Sequence, residues 1–182
     1  MISAILLSSF QSKRMNGENK LTKTLPFTPL IKLSVKNILA SSIDELIIVL
    51  GYQKEIIEKF IDKNEKIKFV FNKDFESGMA SSIKTGLDNL SEKTEAFFIC
   101  LGDMPMVGHD IYNQLIKSKN SKEIIVPTYK GQQGNPVLFD KSMKEKVLDI
   151  RGDVGAKKIL GLNKATVLNL TINNQSIVKS FN

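Results

Sequence analysis

The sequence predicts a single α/β domain built on a mostly parallel sheet. Short apolar, β-branched runs alternate with stretches of helical periodicity, the pattern of strand–helix repeats. The 182 residues are 42% hydrophobic and 25% charged, a length and balance suited to one core. No linker, low-complexity run or internal repeat divides residues 1–182.

Ile2 to Leu7 reads as the first strand. Thr28 followed by Pro29 reads as a cap and first helical residue, with Ile31, Val35, Ile38 and Leu39 on one face. Leu46 to Leu50 is a continuous β-branched run, expected of a strand buried on both sides, and Gly51 ends it. Ile56, Ile57, Phe60 and Ile61 form the next helical stripe, and Ile67 to Phe71 a third strand. Ser81 to Leu90 reads as a helix with Ile83, Leu87 and Leu90 inward. Ala96 to Leu101 is a fourth strand, stopped by Gly102, Asp103 and Pro105. A helix carrying Ile111, Leu115 and Ile116 follows. Strands are expected at Ile124 to Val126 and Val137 to Phe139, around a turn at Gly131 to Gly134. A short helix with Met143, Val147 and Leu148, a loop entering a helix at Gly152 to Leu160, and a strand at Thr166 to Ile172 complete the pattern.

Composition excludes several classes. One cysteine, Cys100, forms no internal disulfide, which suits a reducing compartment. The apolar start has no basic residue before it, and no apolar run reaches the roughly 20 residues of a membrane span. A cytoplasmic protein without membrane partners is the expectation. Net charge is +7, but the lysines are scattered and aromatics do not interleave with them. A solvated lysine-rich surface is favoured over a nucleic-acid face, and small phosphate ligands remain open. There is no Walker A sequence, no G-x-G-x-x-G, no G-x-S-x-G elbow and no cluster with zinc-ligand spacing. His109 reads as a surface or cap residue, and Cys100 as a buried small residue.

Three polar clusters follow predicted strands, where α/β sheets gather ligands. Ser8 to Lys20 contains Ser8, Ser9, Ser12, Lys13, Arg14, Asn16, Gly17 and Lys20. Hydroxyls, cations and backbone N–H groups can hold a polyphosphate, and the same residues read equally as an exposed loop. Asp103 in Gly102-Asp103-Met104-Pro105 can ligate Mg²⁺, or can satisfy local turn amides. Asp153 in Arg151-Gly152-Asp153-Val154-Gly155 is a second acid, by spacing slightly better read as a helix cap.

Leu7-Ser8-Ser9-Phe10-Gln11-Ser12-Lys13-Arg14-Met15, then Gly17 and Lys20-Leu21, resembles the opening signature of the nucleotidyltransferases related to molybdenum cofactor cytidylyltransferase, the MobA-like family. Leu25-Pro26 and Pro29-Leu30 continue it. Asn72, Gly78-Met79-Ala80-Ser81-Ser82-Ile83 and Gly86-Leu87 resemble the middle motif, and Leu101 to Pro105 the metal-binding Asp motif. Val126-Pro127, Gly131, Gly134-Asn135-Pro136-Val137-Leu138-Phe139 and Gly152 to Lys157 resemble the two late motifs.

The resemblance implies a Rossmann-like three-layer domain of the nucleotide-diphospho-sugar transferase type, with a mixed, mostly parallel sheet. It implies Mg²⁺-dependent transfer of CMP from CTP to molybdopterin's terminal phosphate, with release of pyrophosphate. Arg14 and Lys20 would grip the triphosphate. Ser8, Ser9, Phe10 and Ser12 would form the loop around it, with Ser12 and backbone amides as its cradle. Asn72, Gly78, Ser81 and Ser82 would line the base and ribose pocket, and Asn135 would lie near the acceptor. Asp103 would hold Mg²⁺, with Asp153 the second carboxylate. A molybdenum hydroxylase is an expected partner.

The departures are specific. Phe10 stands where the family has a loop glycine, Asn135 where it has His, and Lys157 or Lys158 where it has a late Arg. Asn169-Leu170-Thr171-Ile172-Asn173 lacks the acid of the family's last motif. These motivate two alternatives: a degenerate relative that binds and delivers the cofactor, or a transferase using another NTP and a sugar-phosphate-type acceptor.

Overall fold

The structure, a computed structural model, describes residues 1–9, 19–120, 122–152, 160–161 and 166–181. Eight strands form one sheet: β1 (Ile2–Leu7), β2 (Glu45–Leu50), β3 (Ile67–Phe71), β4 (Ala96–Leu101), β5 (Ile124–Tyr129), β6 (Gln132–Gln133), β7 (Val137–Asp140) and β8 (Val167–Thr171). The order is β3-β2-β1-β4-β7-β5-β6, with β8 against β5. The pairs β1–β2, β1–β4, β2–β3 and β5–β8 are parallel; β4–β7, β5–β7 and β5–β6 are antiparallel.

Helices α1 (Leu30–Leu39), α2 (Lys54–Lys59) and α4 (His109–Lys117) cover one face; α3 (Met79–Asp88) and α5 (Lys144–Leu148) cover the other. Alternation along β1 explains the two cores. Ala4 and Leu6 join Ile31, Val35, Ile38, Ile57 and Ile111 on one side, while Ile5 and Leu7 join Ile83, Leu87 and Val147 on the other. A strand covered on both faces needs a continuous apolar run, which is what β1, β2 and β4 carry. Phe97 stacks on Phe139 across β4 and β7, with centroids 5.4 Å apart. Cys100 is buried beside Tyr112, and burial pushes its thiol up to about 12. It therefore stays protonated, a core residue as its sequence context indicated.

Several expected boundaries move. Pro29 is not the first helical residue. Its ψ of 143° is extended, and the helix starts at Leu30. Thr28 and Pro29 are consumed by a tight turn instead: Leu25 N–H donates to the Thr28 carbonyl, and Leu30 N–H to the Lys23 carbonyl, each at 2.8 Å. The α2 helix is only six residues long, so Ile57 and Ile61 are buried but Ile56 faces water. The α3 helix begins at Met79, and Leu90 lies beyond its end. The β5–β6 hairpin was not legible in sequence. Its turn residues Lys130 and Gly131 both have positive φ, as a two-residue hairpin turn of the primed type requires. The loop-to-helix segment expected at Gly152 to Leu160 mostly falls outside the described residues, although Leu160 is helical and buried.

Chain order sets where a ligand can sit. From β1 the chain runs outward through β2 to β3, then returns to β4 on the other side of β1. That reversal opens a crevice at the carboxyl ends of β1 and β4. The α3 helix lies tightly over this region because Gly86 has no side chain; a Cβ there would collide with the Ile5 side chain. Gly86→Val should lower stability by about 1–3 kcal/mol. Urea denaturation measures it, and an unchanged midpoint would contradict this close approach.

Candidate functional site

The first strand of the switch point ends at Leu7 and the second at Leu101, paired in register. Beyond them, Gly102 N–H donates to the Leu7 carbonyl at 3.1 Å, which joins the two loops at their roots. Gly102 also clears space for Leu21: a Cβ there would lie 3.2 Å from a Leu21 methyl and 3.1 Å from the Leu7 carbonyl. Leu21 belongs to a 3-10 turn, Lys20–Thr22. The buried Asn19 caps that turn, its Oδ1 accepting Leu21 N–H at 3.1 Å. The result aims Lys20 across the crevice. Its Nζ lies 2.7 Å from Asp103 Oδ2, with the two side chains 20% and 22% exposed. A half-buried, charge-assisted contact of this length fixes both groups while leaving them open to a ligand.

A buried polar network supports the adjoining wall. Asn72, after β3, donates from Nδ2 to Ser81 Oγ at 2.8 Å and Ser82 Oγ at 3.0 Å, while its Oδ1 accepts Asp74 N–H at 3.0 Å. The Ser82 hydroxyl is also hydrogen-bonded to Ser9. Ser81 Oγ lies 2.8 Å from the Gly78 carbonyl and 2.9 Å from that of Asp74. Ends of β1 and β3 and the first turn of α3 are thereby locked together. Gly78, before α3, has φ of +110°, a conformation costly for any side-chain-bearing residue. The Gly152 carbonyl accepts Ala80 N–H at 3.1 Å, so the loop leading to Asp153 docks on the same helix end.

Most of the expected residues that are described share this end of the sheet. Ser8 and Ser9 are at the root of the first loop, but their hydroxyls are turned inward, Ser8 donating to the Val49 carbonyl and Ser9 bonded to Ser82. Ser82 and Asn72 are buried within the network, and Ser81 is half-buried at its edge. Asn135 precedes β7, whose Val137 pairs with Ile99 of β4, and its N–H donates to the Ile177 carbonyl at 2.8 Å. Phe10, Ser12, Arg14 and Asp153 lie outside the described residues. Asn19 was missed by the sequence reading; an Asn directly before a short capped turn was the available signal.

For a divalent ion, the described residues contain no group of three His, Cys, Asp or Glu. Among the described residues, Asp103 supplies a carboxylate beside Lys20. Such a donor set suits Mg²⁺ arriving with a polyphosphate, which completes its shell with phosphate oxygens and water, and does not form an all-protein cage.

The family model described as the MobA-like NTP transferase domain matches residues 4–167. The chain belongs to this family. Molybdenum cofactor cytidylyltransferase of Escherichia coli (strain K12) is 28% identical over 141 residues, covering 77% of this chain and 70% of that protein. The probable molybdenum cofactor guanylyltransferase of Methanosarcina mazei is 27% identical over 149 residues, covering 78% of this chain and 64% of that protein. The chain thus spans about two thirds of the length of these curated relatives, both nucleotidyltransferases by name. The crystal structure of Rv0371c from Mycobacterium tuberculosis H37Rv superposes with a TM-score of 0.85 at 20% identity, covering 95% of this chain and 88% of that one. A second structure of Rv0371c, in complex with manganese, gives 0.80 at 18% identity, covering 95% and 89%. These superpositions show the nucleotide-diphospho-sugar transferase fold.

In this MobA-like domain the Asn72 network is a structural wall, so its loss is read in stability. Asn72→Ala removes one partner from each of the Ser81 and Ser82 hydroxyls and takes the side-chain acceptor from the Asp74 amide, and should cost about 1–3 kcal/mol. Chemical denaturation is the check; a loss below about 0.5 kcal/mol, the range of ordinary surface substitutions, would show that the network carries no load.

Proposed function

We propose that this chain transfers CMP from CTP to the terminal phosphate of a molybdopterin-type acceptor, releasing pyrophosphate. The observation that carries the reading is the Lys20–Asp103 pair at the sheet's switch point, 2.7 Å apart and about one-fifth exposed, in a chain of this family. Nucleotidyl transfer requires little covalent help. It requires the acceptor phosphate in line with the α-phosphorus and negative charge neutralised around it.

In this reading Lys20 turns its ammonium from Asp103 to the phosphates and offsets charge that grows on the departing pyrophosphate. Arg14 adds a second cation from the opening loop. Asp103, with Asp153 as the second carboxylate, would hold Mg²⁺, which neutralises phosphate charge and orients the leaving group when bound. The amides following Ser9 and the Ser12 hydroxyl cradle the triphosphate. Gly78 and Ser81 face the base and ribose, held in place by Asn72 and Ser82. Asn135 borders the acceptor.

A specific observation supports a second reading, binding without turnover. Midway along β8, in the segment that corresponds to the family's acid-bearing last motif, amides pair instead: Gln133 Nε2 donates to Asn169 Oδ1 at 3.0 Å. A pyrophosphate-release screen of four NTPs with molybdopterin and with sugar phosphates separates the readings. Wild-type protein should turn over best with CTP, and Lys20→Met and Asp103→Asn should each lower kcat/KM by about 10²–10³-fold. Undiminished turnover in Asp103→Asn would overturn the assignment. Nucleotide binding without pyrophosphate release would select the second reading.

A further inference from the structure

Strand β3 forms one edge of the sheet. Among the described residues it pairs with β2 and with no other strand. Leu46 N–H donates to the Lys66 carbonyl at 2.8 Å, and Asn72 N–H to the Leu50 carbonyl at 2.9 Å. Backbone groups alternate in direction along a strand, so Lys68 and Val70 also turn theirs toward β2. Phe69 and Phe71 therefore point both N–H and C=O out of the sheet edge, and Ile67 points its C=O there. Ile67 N–H is taken by the Asn64 carbonyl at 3.0 Å.

The same three residues carry apolar side chains on one face. Their register partners Leu46, Ile48 and Leu50 belong to the core on the α2 side. Phe69 and Phe71 are 38% and 43% exposed, and Ile56 of α2 is 41% exposed. Soluble proteins usually break such an edge with charge or proline. Here Lys68 is the charged residue within β3, and it lies on the opposite face with its ammonium folded back to the Asn89 carbonyl at 3.1 Å.

This edge is complementary to itself in one register. Antiparallel pairing about a two-fold axis at Phe69 sets Phe69 opposite its own copy and Ile67 opposite Phe71. The two Phe69 residues then exchange both backbone bonds, and each Phe71 N–H meets an Ile67 carbonyl. The apolar rows of the two copies join into one stripe. On the other face Lys68 stands opposite Val70, and no like charges meet. Just beyond the strand ends the same count brings Glu65 beside Lys73, a pair of opposite sign.

We propose that this chain forms a homodimer through β3, with the sheet continuing across the axis into a second copy. The interface is isologous, as a two-fold dimer requires. It does not depend on the transferase reading.

Sedimentation velocity of the full chain across a concentration series tests it. Wild type should reach twice the chain's mass. Phe69→Glu and Phe69→Lys each place like charges face to face at the axis and lose both rings from the interface. Each should raise the dimer dissociation constant by at least about tenfold. Their equimolar mixture should dimerise again, because position 69 faces itself; misfolded variants would not recover. Under oxidation, Phe69→Cys should cross-link into a covalent dimer, since opposed Cα atoms lie within disulfide reach, and Phe71→Cys should not. The native Cys100 is buried and does not interfere. A wild-type chain that stays monomeric, or that takes an extended acidic peptide on this edge in place of a second copy, would overturn the proposal. So would a Glu–Lys mixture that remains monomeric, or a cross-link at position 71 in place of 69.

Discussion

The carboxyl pole of this sheet is organised by a contact between two loops that a missing side chain makes possible. Gly102 brings its amide to the Leu7 carbonyl and leaves room for Leu21 to pack over it. Leu21 fixes the turn that carries Lys20, and Asp103 follows Gly102 directly. An ammonium and a carboxylate from residues 83 positions apart then meet at 2.7 Å. In the protein interior such a pair would be costly to desolvate; in a crevice that leaves both side chains partly exposed it keeps some contact with water. Placement at the point where strand order reverses makes the pair available to a ligand.

Two kinds of polar group divide the work around this point. Ser9, Asn72 and Ser82 are buried and bonded to each other, and a satisfied buried network rigidifies its surroundings. Lys20 and Asp103 are partly exposed and hold one another. The first kind keeps the first turn of α3 and the ends of β1 and β3 in register. The second presents charge. The inward-facing hydroxyls of Ser8 and Ser9 belong with the first kind and anchor the end of β1.

Much of this was legible in sequence, for identifiable reasons. Strands buried on both faces are rich in apolar residues, so β1 and β4 announce themselves at the correct residues and β2 to within one, its first residue being Glu45. Motif order located Lys20, Asn72, Asp103 and Asn135 at one end of the sheet. Less legible were features set by tertiary contact. Pro29 follows a plausible cap, but backbone bonds to Lys23 and Thr28 draw the chain into a turn first. Ile56 matches a helical stripe that a six-residue helix is too short to bury. Phe181 N–H bonds a backbone partner distant in sequence, the Asp103 carbonyl, and no local pattern encodes such a partner.

The central claim is that the Lys20–Asp103 contact is the place a triphosphate enters. A crystal structure of the full chain with Mg²⁺ and a non-hydrolysable CTP analogue tests it most directly. The account predicts Lys20 Nζ withdrawn from Asp103 and within about 3 Å of phosphate oxygens, with the Asp103 carboxylate turned to the ion. A nucleotide bound elsewhere, with the ammonium still on the carboxylate, would contradict it.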